Sequence, residues 1–247
     1  MSDTAKHALI TGASTGIGWA TVTRLREHGW QVTATARRSE RLAQLAAQTG
    51  CATITADLTN PDDVARLAAE CGPVDALVNN AGGALGMDTI VDADLTRWRT
   101  MYERNVLATV DLTRQILPAM IERNSGSIVF LTSTAGHDTY PGGGGYVAAK
   151  HAERIIANTL RQELVGKNIR IIEIAPGMVK TEEFSLNRLG SQEKADAVYA
   201  GVAAPLTAAD IAEAIEFTLQ VPAHVNIDSM IIRPVAQATN TVVHRES

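Results

Sequence analysis

The chain has 247 residues, 45% of them hydrophobic and 20% charged, with a formal net charge of −5. That apolar content excludes a disordered chain, and the weak negative charge argues against a broad nucleic-acid surface. No apolar run reaches the roughly 20 residues that span a bilayer, and Cys51 and Cys71 form no Cys-x-x-Cys pair. The polar residues 1–6 pass straight into an apolar run, so we expect no signal peptide, a cytoplasmic location, and no membrane or nucleic-acid partner.

Short apolar runs alternate with longer helix-patterned segments throughout. His7–Thr11, Gln31–Ala36, 52–56, 74–78, 127–131, 169–175 and 227–232 read as strands. Most are continuously apolar, which suits a parallel sheet covered on both faces. Between them, a helix from Ile17 stops at Gly29 and a second runs from Ser39 to Gly50. The third takes Asn60 as its cap, with Pro61 at the first helical position and Asp62 and Asp63 at the positive dipole end. A later helix opens at Thr207, with Asp210 three residues on as a weak capping box.

Seven strands alternating with helices predict one α/β domain over 1–247: a doubly wound, Rossmann-type, seven-stranded parallel sheet with helices on both faces. The one long stretch without a strand, 178–205, is expected to be a substrate lid, because loops of that length in compact domains usually bind something. In such folds ligands sit beyond the carboxyl ends of the strands.

After the first strand comes Thr11-Gly12-Ala13-Ser14-Thr15-Gly16-Ile17-Gly18, opening into a helix. Glycines there permit a tight turn and close backbone approach to a pyrophosphate, which the free N–H groups of a helix start stabilise. A plain structural turn is the competing reading; the strand–loop–helix context favours a dinucleotide. Past the second strand stand Arg37 and Arg38, with no acid until Glu40. Cations at the ribose site suit a 2′-phosphate, hence NADP rather than NAD; a solvated arginine pair is the alternative.

Ser133 lies just beyond the fifth strand, and Tyr146 and Lys150 follow four residues apart, on one helix face. A phenol of ordinary pKa about 10 is a poor base at neutral pH, and a nearby cation favours its phenolate. The pair could exchange a proton with a carbinol oxygen that Ser133 also hydrogen-bonds.

These motifs, with Asn79-Asn80-Ala81-Gly82 and Pro176-Gly177 followed by Val179 and Thr181, resemble the short-chain dehydrogenase/reductase family along nearly the whole chain. The resemblance implies Asn105, Ser133, Tyr146 and Lys150 as the catalytic set, Asn105 holding a water on the proton relay. It implies cofactor contacts from Gly12, Ser14, Thr15, Gly16, Ile17, Gly18, Arg37, Arg38, Asp57, Leu58, Asn79, Ala81, Gly82, Tyr146, Lys150, Pro176, Gly177, Val179 and Thr181. It also implies a homotetramer built through the helices around 105–120 and 146–164. Thr15 stands where some NADP-using members carry a basic residue, so the NADP expectation rests on Arg37 and Arg38.

Residues 84–87 and 222–227, with Glu183-Phe184, resemble the branch acting on serine and other 3-hydroxy acids. The expected reaction is NADP-dependent hydride transfer to or from a small hydroxy acid or short aldehyde, with Arg188 or Arg233 as candidate carboxylate partners. An apolar-ketone reductase with a pocket lined by Met178, Phe184 and Leu186 is the alternative. A cofactor-sensing regulator would not need the four catalytic residues, and extended-branch epimerases use another glycine spacing. His137 and Asp138 are expected to be solvated loop residues.

Overall fold

The computed structural model describes residues 5–246. Its strands are β1 (His7–Thr11), β2 (Gln31–Ala36), β3 (Ala52–Thr55), β4 (Ala76–Asn79), β5 (Gly126–Leu131), β6 (Ile169–Pro176) and β7 (Ser229–Ile232). They form one seven-stranded sheet in the order β3-β2-β1-β4-β5-β6-β7, parallel throughout. Helices α1 (Gly16–Glu27), α2 (Ser39–Thr49) and α3 (Pro61–Cys71) connect the first four strands. Next come α4 (Leu95–Tyr102), a π-turn (Glu103–Leu107) and α5 (Ala108–Arg123) before β5, and α6 (Gly144–Glu163) before β6. Between β6 and β7 lie α7 (Phe184–Leu189), α8 (Gln192–Tyr199) and α9 (Ala208–Gln220).

The expected doubly wound sheet is therefore what the chain forms, and alternation along each strand explains why. Ala8, Ile10, Val78 and Val129 point to one face, where Val22, Leu25, Leu42, Ile211 and Ile215 of α1, α2 and α9 cover them. Leu9, Leu77, Ile128 and Phe130 point to the other, under Val64, Leu67, Leu112, Ile116 and Leu160 of α3, α5 and α6. Full burial of each such side chain contributes roughly 1.5–3 kcal/mol, so a one-residue register slip would move a whole apolar set to the wrong face.

Chain punctuation works as read. Asn60 accepts from the Asp62 N–H at 3.0 Å, Gly50 ends α2 in the left-handed conformation, and Thr207 and Asp210 form a reciprocal capping box. β7 begins at Ser229 rather than at 227. There the Asn226 side chain takes over the ladder, accepting from the Ile171 N–H at 2.8 Å and donating to its carbonyl at 3.1 Å. Strand order reverses between β1 and β4, which opens a crevice at their carboxyl ends. No helix among the described residues is long and apolar enough to cross a membrane.

Candidate active site

A cleft of about 1000 Å³ lies along that carboxyl edge. Its floor is stitched by two residues. The Thr11 hydroxyl donates to the Val78 carbonyl at 3.2 Å and accepts from the Asn80 and Ala81 N–H groups, both at 2.9 Å. The Asn80 amide donates to the Thr11 carbonyl at 2.7 Å and the Gly12 carbonyl at 3.2 Å.

Held so closely, the loop after β1 has no room for a side chain at Gly12 or Gly18. Gly12 and Gly16 have φ of +63° and +56°, and a Cβ on Gly12 would meet Ala81 Cα at 2.9 Å. A Cβ on Gly18 would sit 2.5 Å from the Gly12 carbonyl oxygen. Thr15 precedes α1 in an extended conformation without a side-chain cap bond, which leaves the first-turn N–H groups free for a ligand. These bare, glycine-lined turns form a cradle that a pyrophosphate fits.

Basic residues crowd one end of the cleft. Arg37, Arg38 and Arg104 line it together with Asp57 and Leu58. Arg38 donates to Ser14 Oγ at 2.9 Å and holds both carboxylate oxygens of Glu183, at 2.7 and 2.9 Å. Arg41 pairs with Glu182 at 2.7 Å. Burial works against the Asp57 charge, but two hydrogen bonds from Thr59 and the fields of Arg37 and Arg104 prevail and hold its carboxyl below the usual range.

At the middle of the cleft, α6 presents Tyr146 and Lys150 one turn apart. The Lys150 ammonium lies 6.0 Å from the Tyr146 ring centroid and donates to the Leu131 carbonyl at 2.9 Å and to Glu153 Oε2 at 2.5 Å. Burial opposes its charge, yet the attraction of Glu153 and Tyr146 outweighs that cost and raises its pKa. Ser133 follows β5; its Oγ accepts from the Ala135 N–H at 3.1 Å and donates to the Pro176 carbonyl at 3.4 Å. Ser133, Tyr146 and Lys150 all line the cleft. A phenol, a second hydroxyl and a buried cation thus line one cleft, a set that could exchange a proton with a carbinol.

The segment 178–205 folds over this group. Phe184 meets the Tyr146 ring edge-on at 5.9 Å. The Arg188 guanidinium lies 5.4 Å from the Tyr140 ring centroid and 5.8 Å from that of Tyr146. Its Nε donates to the Gly86 carbonyl at 3.2 Å, while the buried Nη2 has no hydrogen-bond partner among the described residues.

Residues 6–190 match the short chain dehydrogenase family. The chain belongs to that family. Membership makes it an oxidoreductase acting on CH–OH groups. An uncharacterised oxidoreductase of Mycobacterium tuberculosis (strain H37Rv) is 52% identical over 94% of this chain and 92% of its own. An NADP-dependent 3-hydroxy acid dehydrogenase of Salmonella typhi is 40% identical over 96% of this chain and 98% of its own. A closed-form serine dehydrogenase complexed with NADP+ superposes with a TM-score of 0.92 at 38% identity, covering 97% of this chain and all of that one.

Against the short-chain dehydrogenase pattern, most expected positions meet in the cleft and three do not. Gly12, Ser14, Thr15, Gly16, Ile17, Arg37, Arg38, Asp57, Leu58, Ala81, Gly82, Pro176, Gly177, Val179 and Thr181 line it. Gly18 lies beneath the loop, where the Gly12 carbonyl packs on it. Asn79 is buried and its amide turns away to Thr113 Oγ1 at 3.0 Å, because alternation along β4 gives the cleft to Asn80. Asn105 is fully buried in the π-turn. Its amide donates to the Gly83 and Met101 carbonyls at 2.9 and 2.7 Å, and its Oδ1 accepts from the Gly83 N–H at 3.0 Å. The side chain is thus spent on fixing the loop after β4.

One expectation is corrected, and one choice left open by the sequence is narrowed. His137 is not a merely solvated loop residue: its Nε2 lies 2.8 Å from Glu173 Oε1, and the side chain is 15% exposed. Arg188 lines the cleft and Arg233 does not, a ranking that sequence alone could not supply. Asn80 carries no role of its own in the sequence motif Asn79–Gly82, and nothing in the sequence singles out Arg104. For Glu153 a signal existed, since positions 146, 150 and 153 share a helix face.

Proposed function

We propose that this chain is an NADP-dependent dehydrogenase of small 3-hydroxy acids, working also in reverse on the matching carbonyls. One observation carries the substrate class: Arg188 brings a guanidinium to the Tyr146 ring with a buried Nη2 left unpartnered among the described residues. A buried donor without an acceptor is costly, and a substrate carboxylate would satisfy it by a charge-assisted bond. The names of the Salmonella typhi relative and of the serine dehydrogenase structure point the same way.

The residues present fit the cofactor. The glycine cradle would hold its pyrophosphate, Arg37 and Arg38 its 2′-phosphate, and Lys150 the nicotinamide ribose. When bound, NADP takes or gives the hydride. Tyr146 takes the carbinol proton in oxidation and returns it in reduction, Ser133 holds the same oxygen, and the Lys150 cation supports the phenolate. Segment 178–205 is the lid, excluding water over the reacting carbon. Leu107, Val110 and Ile155 leave apolar side chains exposed on the π-turn, α5 and α6, which suits a homotetramer joined through those helices.

Reduction of NADP+, followed by absorbance with serine and 3-hydroxypropanoate against their methyl esters, tests the reading. The free acids should be preferred, and Arg188→Met should raise KM for the acids far more than for the esters. A tenfold preference in kcat/KM for the esters or for a bulky apolar ketone, about 1.4 kcal/mol at the transition state, would overturn it in favour of a general carbonyl reductase, for which Phe184, Leu186 and Met178 already line the cleft.

A further inference from the structure

Glu153 is fully buried on α6, two turns from Tyr146 and three residues from Lys150. Its Oε2 takes one Lys150 donor at 2.5 Å, while its Oε1 finds no partner among the described residues. Leu131 takes a second Lys150 donor, so a single ammonium proton remains for the cleft.

We propose that Glu153 is a positioning residue for the Tyr146–Lys150 pair: its carboxylate fixes the Lys150 ammonium and offsets its charge, so that Glu153 sets the pH range over which Tyr146 releases its proton. The proposal rests on Tyr146 being the acid/base group.

The surroundings of Glu153 support a carboxyl that changes charge near neutrality. Burial drives its pKa up, Glu173 on β6 adds to the rise, and Lys150 opposes it, leaving a value of about 7. Glu173 in turn accepts from Thr132 at 2.7 Å and Ser229 at 2.8 Å, and it is paired with His137. Two groups besides Lys150 face Tyr146, the Arg188 guanidinium 5.8 Å from its ring centroid and the partly buried Tyr140 phenol, and both are the same in a Glu153 variant. The other charges nearby are engaged elsewhere, His151 with the Val147 carbonyl. Arg154 reaches the Gly136 carbonyl, Arg97 of α4 pairs with Asp88 and Asp94, Arg104 of the π-turn faces Asp57 and Arg37, and Arg99 and Glu103 are exposed. A half-partnered buried carboxylate is costly when charged. Once neutral, it leaves the Lys150 charge uncompensated beside Tyr146.

The Lys150 ammonium lies 6.0 Å from the Tyr146 ring centroid and 2.5 Å from Glu153 Oε2, so that the carboxylate stands within about 8.5 Å of the ring centroid. Unit charges that far apart in a medium of effective dielectric about 20 shift one another by about one pH unit.

The test is a phenolate absorbance titration of the cofactor-free protein, with the Tyr146→Phe curve subtracted to isolate Tyr146. In Glu153→Gln the phenolate should appear about one pH unit lower, with the pH profile of kcat for serine displaced in the same direction. If Glu153→Gln does not fold, Glu153→Asp decides, because its shorter carboxylate should move the midpoint part of the way down. An unmoved midpoint in the folded variant overturns the proposal. A wild type without turnover on serine or 3-hydroxypropanoate would instead strike the substrate reading, leaving the titration to be judged on its own.

Discussion

Arg38 and Glu183, 145 positions apart, are joined at both carboxylate oxygens, at 2.7 and 2.9 Å. The arginine comes from the end of β2 and the glutamate from the entrance of α7, so the pair ties the basic end of the cleft to the proposed lid. The bond to Arg38 is the main reason that the Glu183 carboxyl titrates below its usual range. A 2′-phosphate seeking Arg38 meets Glu183 as a competitor.

This competition gives the first prediction. Each charge-assisted contact to the phosphate should be worth about 1.5–3 kcal/mol, or roughly 10- to 150-fold in affinity. Replacing Arg37 and Arg38 by Ala should therefore weaken NADPH far more than NADH. Glu183→Gln should tighten NADPH several-fold and leave NADH nearly unchanged. Fluorescence titration of both cofactors against the three forms checks it, and a wild type preferring NADH would refute the assignment of NADP.

The second concerns Tyr146. Tyr146→Phe removes only the hydroxyl, so NADPH should still bind while turnover falls by at least the roughly 10²-fold expected of general acid–base catalysis. Retention of more than about a tenth of the rate would remove Tyr146 from the mechanism.

Gly18 yields a prediction of a different kind, because it lies under the cleft rather than in it. A methyl group there would meet the Gly12 carbonyl oxygen at 2.5 Å and the Asn80 amide at 2.6 Å, and neither can retreat without breaking the Thr11–Asn80 stitching. Gly18→Ala should cost about 1–3 kcal/mol, the usual range for overpacking, and weaken both cofactors equally. Thermal melting and cofactor titration together separate this from a loss of phosphate contacts.

Cys71 supplies a pH test away from the site. Burial raises its pKa to about 11, and its thiol donates to the Gly72 and Ala68 carbonyls at 3.3 and 3.6 Å. Thiolate is the reactive form, so alkylation by iodoacetamide at pH 8 should be about a hundredfold slower than for a thiol of ordinary pKa 9.0, read by mass spectrometry. The folded thiol keeps its proton up to about 11 while the unfolded one loses it near 8.5–9. Stability should therefore fall as pH rises through that interval.

What the sequence determined by itself was whatever neighbouring residues encode through period and punctuation: seven strands, their alternation with helices, the caps at Asn60 and Thr207, the glycine loop, and the Tyr146–Lys150 spacing. Such features depend on backbone sterics and on which side chains share a face, both of which are local. Tertiary structure decided what depends on partners distant in the chain. It turned Asn79 to Thr113 and gave the cleft to Asn80. It spent the Asn105 amide on Gly83 and Met101, drew His137 to Glu173, and set Arg188 rather than Arg233 beside Tyr146. It also placed Glu183 on Arg38 and buried Glu153 against Lys150. A charged side chain carries no record of its counter-charge; that pairing exists only once the sheet and the segment above it bring the two together.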